Sequence, residues 1–289
     1  MLVKSRRMTP DTIVFDLENS VAEHRKGTAQ GMVLQALQAA PSEGPELAVR
    51  INAPSTRRDV AESDLDIVLQ SHRVQAVLLP KVEQVEDIEM VASCAARTGS
   101  YSATSPLNMI VSIESAASLL HIPTLIEKAK DRLASYDHVA RIVALLFASE
   151  DYCAATGVRR TRDRRGLLFP RSQLVTIAKA YQLQAIDMVC IEYKDEAYLH
   201  EECEEGAMLG FDGKQAIHPA QLDVMRRAFS PSEQDIALAQ AIWDAYKQGV
   251  AQNKGAVGLT HNGRDVMIDA PMLLQSKRTL RQAGIELVE

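Results

Sequence analysis

Short apolar runs alternate with stretches of helical periodicity along most of this chain. The runs at residues 12–15, 47–51, 75–79, 108–113, 142–147, 185–191 and 215–217 are rich in Val, Ile and Leu and read as strands buried on both faces. Between them, residues 23–39, 60–70, 85–96, 115–129 and 171–181 space their apolar positions as amphipathic helices do. Continuously apolar strands separated by helices predict an α/β parallel sheet, either a closed TIM (β/α)8 barrel or an open doubly wound sheet. No GxGxxG or GxxxxGK[ST] follows any run, which removes the phosphate-loop signature of the open-sheet nucleotide binders and favours the barrel. Seven runs leave that barrel one strand short, with an edge of unpaired backbone groups.

After Ser230-Pro231-Ser232-Glu233 the alternation stops. A long helical pattern at 232–248, a stretch containing Gly255, Gly258 and Gly263, and a last helix near 272–283 have no place in a barrel. The pattern divides the chain into a barrel domain, 1–230, and a C-terminal helical arm or lid, 231–289. Such an arm packs on a neighbouring subunit or covers the mouth of a site.

Composition removes several classes of function. The chain has 289 residues, 46% of them apolar and 24% charged, as in an ordinary soluble globular protein. Lys and Arg number 32 against 38 Asp and Glu, a formal charge of -6, which argues against a nucleic-acid partner, since such binding draws on excess cation. No run approaches the roughly 18 apolar residues of a membrane span. The cysteines Cys94, Cys153, Cys190 and Cys203 form no CxxC pair, and the histidines show no HxH or HxxxH spacing, so a zinc site is disfavoured.

The chemistry lies in the charged and polar residues just past each apolar run. Asp16 and Glu18 follow the first, Arg50 and Asn52 the second, Lys81 and Glu83 the third, Glu114 the fourth, Glu150 and Asp151 the fifth, and His218 the last. In a βα barrel these positions ring the C-terminal mouth, where such barrels carry their active sites. Helix capping accounts for the acids. It does not account for Arg50 or Lys81, which oppose a helix N-terminal dipole, and the mixture points to an anionic substrate. Glu114 and Asp151 form the best candidate metal pair, because two close carboxylates do not both stay ionised without a cation. Oxygen ligands without His or Cys indicate Mg2+; the alternative is pairing with Arg50 or Lys81. A Schiff base on Lys81 is disfavoured by the acids around it, which keep it protonated.

Seven ordered motifs carry a resemblance. They are Val14-Phe15-Asp16-Leu17-Glu18-Asn19-Ser20-Val21, Val49-Arg50-Ile51-Asn52, Leu79-Pro80-Lys81-Val82-Glu83, Ile113-Glu114-Ser115-Ala116, Ser149-Glu150-Asp151-Tyr152, Gly213-Lys214-Gln215-Ala216-Ile217-His218-Pro219 and Met267-Ile268-Asp269-Ala270-Pro271. The chain resembles the HpcH/HpaI aldolase and citrate lyase β-subunit superfamily over nearly its whole length. The resemblance implies a TIM barrel, a Mg2+ ion, acyl-CoA thioester substrates and a homotrimer. It places Glu114 and Asp151 as metal ligands, Arg50 as the substrate-binding arginine, and Asp269 as the catalytic aspartate that the arm carries to a neighbouring subunit's site. It also places Lys4, Arg25 and Lys26 near the CoA phosphates, and Ile217 and His218 at the cofactor's other end.

The activity implied is a carbon–carbon lyase reaction, the retro-Claisen cleavage of (3S)-citramalyl-CoA to acetyl-CoA and pyruvate, in mitochondria. Malyl-CoA or β-methylmalyl-CoA lyase and thioesterase activities share the same residues and differ in pocket shape. A truncated, non-catalytic member is the reading from another class, because relatives open with a further strand ending in a Pro-Gly turn before the Met-Leu-x-Lys that begins this chain. No transit peptide is visible, and a cytoplasmic location is the alternative. Asn19 departs from the second acid that relatives usually carry beside Glu18.

Overall fold

The computed structural model of this chain describes residues 10–251, 257–261 and 264–287. They fall into two compact units, one of the described residues up to 194 with 205–222 and the other of residues 195–204 with the described residues from 223 onward.

The first unit is built on seven parallel strands, β1 (Thr12–Asp16), β2 (Glu46–Arg50), β3 (Ala76–Leu79), β4 (Leu107–Ile113), β5 (Ala140–Phe147), β6 (Gln184–Asp187) and β7 (Gly213–Lys214), hydrogen-bonded in sequential order. The helices between them are α1 (Lys26–Gln38), α2 (Pro54–Val68), α3 (Val85–Thr98), α4 (Ala116–Ala134), α5 (Ser149–Thr156), α6 (Leu168–Ala180) and α7 (Glu196–Leu209), the last of which is divided between the two units. This is the curled sheet of a (β/α)8 barrel with seven strands among the described residues, as the hydrophobic pattern predicts.

Two predicted strands shift. The sixth ends at Asp187 rather than Ile191, because the backbone beyond it is satisfied by side chains instead of a neighbouring strand. The Val189 carbonyl accepts from Arg160 at 2.6 Å and the Cys190 carbonyl from Gln221 at 2.9 Å. The seventh is Gly213–Lys214, earlier than the predicted 215–217, since the amides of Ile217 and His218 donate to the Gln221 side chain at 2.9 and 3.1 Å.

The sheet face turned to the barrel interior is layered. At its N-terminal end, Glu46 accepts from the Thr12 hydroxyl and the Asn108 amide at 2.9 Å each, and Asn108 accepts from Arg141 at 3.0 Å. Above lies an apolar layer of Ala48, Ala76, Leu78, Ile110, Ala144 and Leu146. Above that come the charges at the strand ends. The β4–β5 ladder shifts register between Met109 and Ile110, whose partners are Ile142 and Ala144, so Val143 is an extra residue, a β-bulge. The bulge lets Arg141 join the lower polar layer while Ala144 and Leu146 join the apolar one.

The second unit contains most of α8 (Leu222–Phe229), then α9 (Glu233–Ala251), an antiparallel hairpin of β8 (Val257–His261) and β9 (Arg264–Ile268), and α10 (Ala270–Gln282). Its core joins Ala239 and Trp243 of α9 to Leu280 of α10, and the Lys277 ammonium lies 4.7 Å from the Trp243 ring centre. The tail is thus not wholly helical, since a hairpin occupies the stretch around Gly258.

Candidate active site

The strand ends of β1 and β2 are locked to each other. Asp16 accepts from Arg50 Nε and Nη2, both at 2.7 Å, and from the Glu18 amide at 2.9 Å. Burial alone would raise the Asp16 carboxyl; the Arg50 hydrogen bonds and charge outweigh it and hold the group at about 2. Arg50 Nη1 lies 3.3 Å from Glu18 Oε2, and Lys81 Nζ donates to Glu18 Oε1 at 3.1 Å. A guanidinium has five N–H groups. Those used on Asp16 and Glu18 leave donors on Arg50 for an anionic ligand. Lys81 sits directly after β3 and Pro80 in the left-handed region, φ 52°, a conformation a non-glycine residue takes only under constraint.

Glu114, the residue after β4, is 7% exposed, and its Oε2 is buried with no hydrogen-bond partner. Its carboxyl is pushed up to about 7, first by burial and next by the charge of Asp151 in the first turn of α5. Ser112 and Lys81 oppose that rise without overcoming it. Glu114 and Asp151 thus converge at one end of the sheet, and both act on Lys81. A buried carboxylate oxygen lacking a donor, beside a second carboxylate, is the donor set a small hard cation requires. Among the described residues no cluster of three or more His, Cys, Asp or Glu is arranged to hold a metal, so the site offers the pair that Mg2+ can use with solvent or substrate oxygens.

The predicted CoA-contacting residues divide. Lys4 lies outside the described residues. Arg25 is exposed at the start of α1. Lys26 works internally: its ammonium donates to the Leu17 and Glu18 carbonyls at 2.8 Å each and to Asn52 Oδ1 at 2.6 Å, tying the segment after β1 to that after β2. Three acceptors match the three protons of an ammonium group. His218 is exposed, caps the short helix Pro219–Gln221 through Nδ1 and packs against Tyr193 with ring centres 4.8 Å apart. Ile217 beside it is 49% exposed. Asp269, in the second unit, is exposed and caps α10 by accepting from the Met272 amide at 2.8 Å.

Two arrangements have no counterpart in the motif reading. Asp64, fully buried on α2, accepts from the Asn52 amide and side chain at 2.8 and 2.7 Å and from Gln30 at 2.7 Å, which explains why Asn52 follows β2. Beneath β6 and β7, Arg171, Asp187 and Lys214 have fully buried side chains. Arg171 grips Asp187 at 3.0 and 2.8 Å and reaches Glu205 at 2.7 Å. Burial pushes the Asp187 carboxyl up, but Lys214 and Arg171 together hold it below the usual range. In the sequence only Asp187 stands out as a charge inside an apolar run, 185–191; Arg171 opens an amphipathic helical stretch and Lys214 precedes the run 215–217.

Residues 1–219 match the family described as HpcH/HpaI aldolase/citrate lyase. The human mitochondrial citramalyl-CoA lyase is 35% identical over 276 residues, covering 94% of this chain and 78% of that protein. The citrate lyase subunit beta of Haemophilus influenzae is 30% identical over 291 residues, covering 98% of this chain and 92% of its own length. A crystal structure of CitE from Mycobacterium tuberculosis in complex with magnesium, acetoacetate and coenzyme A aligns with a TM-score of 0.66 at 27% identity, covering 95% of this chain and 90% of that one.

Proposed function

The chain belongs to the HpcH/HpaI aldolase/citrate lyase family and is a carbon–carbon lyase, and we propose that it is a Mg2+-dependent enzyme cleaving (3S)-citramalyl-CoA to acetyl-CoA and pyruvate. The observation that carries this reading is the buried, unpartnered Glu114 Oε2 beside Asp151, within a ring that also presents Arg50. Relatives named for that activity and a related structure holding magnesium and coenzyme A support it.

Glu114 and Asp151 would hold Mg2+, which supplies a Lewis acid for the carboxylate and hydroxyl oxygens of a hydroxy acid. Arg50, held rigid by Asp16, would present its remaining N–H groups to the oxygen that becomes the pyruvate carbonyl. The bond between the hydroxyl-bearing carbon and the methylene breaks, and its electron pair passes into the thioester as an enolate. Asp269 in its acid form then protonates the methylene carbon, while the hydroxyl proton passes to solvent, from which the Asp269 carboxylate takes a proton back, so that no net proton is consumed or released. Arg25, Lys4, Ile217 and His218 are assigned to the CoA moiety. In this proposal the protein is a mitochondrial homotrimer, barrel 1–230 and arm 231–289 being its working parts, with Asp269 supplied to a neighbouring subunit.

The test is a coupled assay for acetyl-CoA and pyruvate, with citramalyl-CoA, malyl-CoA and β-methylmalyl-CoA offered in parallel. Turnover should be greatest with citramalyl-CoA, vanish after exhaustive chelation and return with Mg2+. Preference for another ester overturns the substrate; full activity after chelation overturns the metal.

A further inference from the structure

The short helix that carries Asp151 is weakly anchored by its own sequence. α5 has eight residues, its N-cap is Ala148 without a side-chain cap, and within it only Ser149 and Tyr152 are buried. Its first turn carries Glu150 and Asp151 in succession, which the helical repeat turns about 100° apart around the axis. What distinguishes them is Arg160, ten residues beyond Glu150 and outside the helix. The Arg160 side chain is 9% exposed, while that of Glu150 is 53% exposed. Arg160 Nη1 donates to Ser149 Oγ at 3.0 Å and to the Glu150 carboxylate, and Nη2 donates to the Val189 carbonyl beyond β6 at 2.6 Å.

We propose that Arg160 is a positioning residue for the ion site: it pins the first turn of α5 to the segment after β6, engages Glu150 in an ion pair, and so leaves Asp151 as the carboxylate of that turn that meets the ion. The charge of Asp151 acts on Glu114. This rests on the assignment of Glu114 and Asp151 as the Mg2+ ligands. A guanidinium suits the task because its planar fork reaches a hydroxyl, a carboxylate and a carbonyl at once, which an ammonium on a single stem does not. Residues that orient metal ligands typically change metal affinity by 10–100-fold when replaced. Losing Arg160 also releases Glu150 as an additional oxygen donor, a change that favours larger cations with more ligands over Mg2+.

The experiment is calorimetric titration of the full, chelator-treated protein with Mg2+ and with Ca2+, comparing wild type, Arg160→Gln, Arg160→Lys and Glu114→Gln, with thermal melts in EDTA as a check of folding. Arg160→Gln should weaken Mg2+ binding at least tenfold and Ca2+ binding by much less, without abolishing the melting transition. Arg160→Lys, which keeps the charge beside Glu150 but not the fork, should fall between it and wild type and serves as the test if the Gln variant does not fold. Mg2+ affinity within twofold of wild type in both Arg160 variants, while Glu114→Gln loses it, overturns the role of Arg160 alone. Mg2+ binding unaffected by Glu114→Gln, or absent from wild type, overturns the metal assignment beneath it.

Discussion

Asp16 and Arg50 face each other across the β1–β2 register and share two parallel hydrogen bonds of 2.7 Å. The pair makes the end of β1 a scaffold for the end of β2, and it carries a pH signature. Asp16 is depressed in the folded state to about 2 from 3.8, so its stabilisation is complete above the unfolded value and is lost as pH falls from near 4 through 2. Because the pair is partly open to solvent, the contribution is at most about 2 kcal/mol. In denaturant unfolding followed from pH 6 to pH 2, the stability difference between wild type and Asp16→Asn should shrink toward zero; a constant difference would remove the ion pair from acid stability.

Glu114 behaves oppositely. Its carboxyl is raised from 4.5 to about 7, so the folded, metal-free protein holds a proton that the unfolded chain releases. Stability in EDTA should therefore decline as pH rises from 4.5 to 7 and level off above, by roughly 3 kcal/mol for a shift of this size. Glu114→Gln should abolish that decline, which makes it more stable than wild type in EDTA at pH 8 even as it loses the ion. A matching decline in the variant would disprove the assignment.

Asp269 offers a clean separation of chemistry from architecture. Its carboxylate oxygen caps α10, and asparagine caps equally well, so Asp269→Asn should melt like wild type and bind a CoA ester as tightly while turnover drops at least a hundredfold. Asp269→Ala should in addition lose about 1 kcal/mol of stability from the missing cap. Undiminished turnover in the asparagine variant excludes Asp269 from proton transfer.

Arg25 and Lys26, adjacent in sequence, should give different phenotypes. Lys26→Met strands two carbonyls and the buried Asn52 side chain, and should cost about 3 kcal/mol of stability. Arg25→Ala should leave the melting temperature unchanged and weaken binding of CoA esters several-fold. Equal thermal stability in the two variants would contradict the internal role of Lys26.

Much of the fold and the site is legible in the sequence, for a physical reason. Strands buried on both faces must be apolar throughout, so 47–51 and 108–113 stand out, and the charge that ends each run marks the rim of the barrel. Glu114 and Asp151 are accessible in this way because rim residues share a face. Arg160 is not: nothing in the spacing of Arg159 and Arg160 says which of two neighbouring guanidinium groups turns inward to Ser149 and Val189. The same holds for Lys26, which the resemblance places near the CoA phosphates: its three internal acceptors are distant in sequence or on the main chain and leave no mark in the spacing. The β8–β9 hairpin escapes notice although Asn262-Gly263, a dipeptide favoured in two-residue hairpin turns, separates its strands in the sequence.

The extra residue in β5 determines which changes of chain length the site tolerates. Side chains alternate faces along a strand, so removing one residue between Ala144 and Phe147 would rotate Ala148 and the start of α5 by half a repeat and carry Asp151 away from Glu114. Removing Val143 would merely straighten the ladder, with Arg141 and Leu146 keeping their present sides. Position 143 is therefore the point in that strand where evolution, or an engineer, can delete a codon without resetting the phase of the catalytic rim.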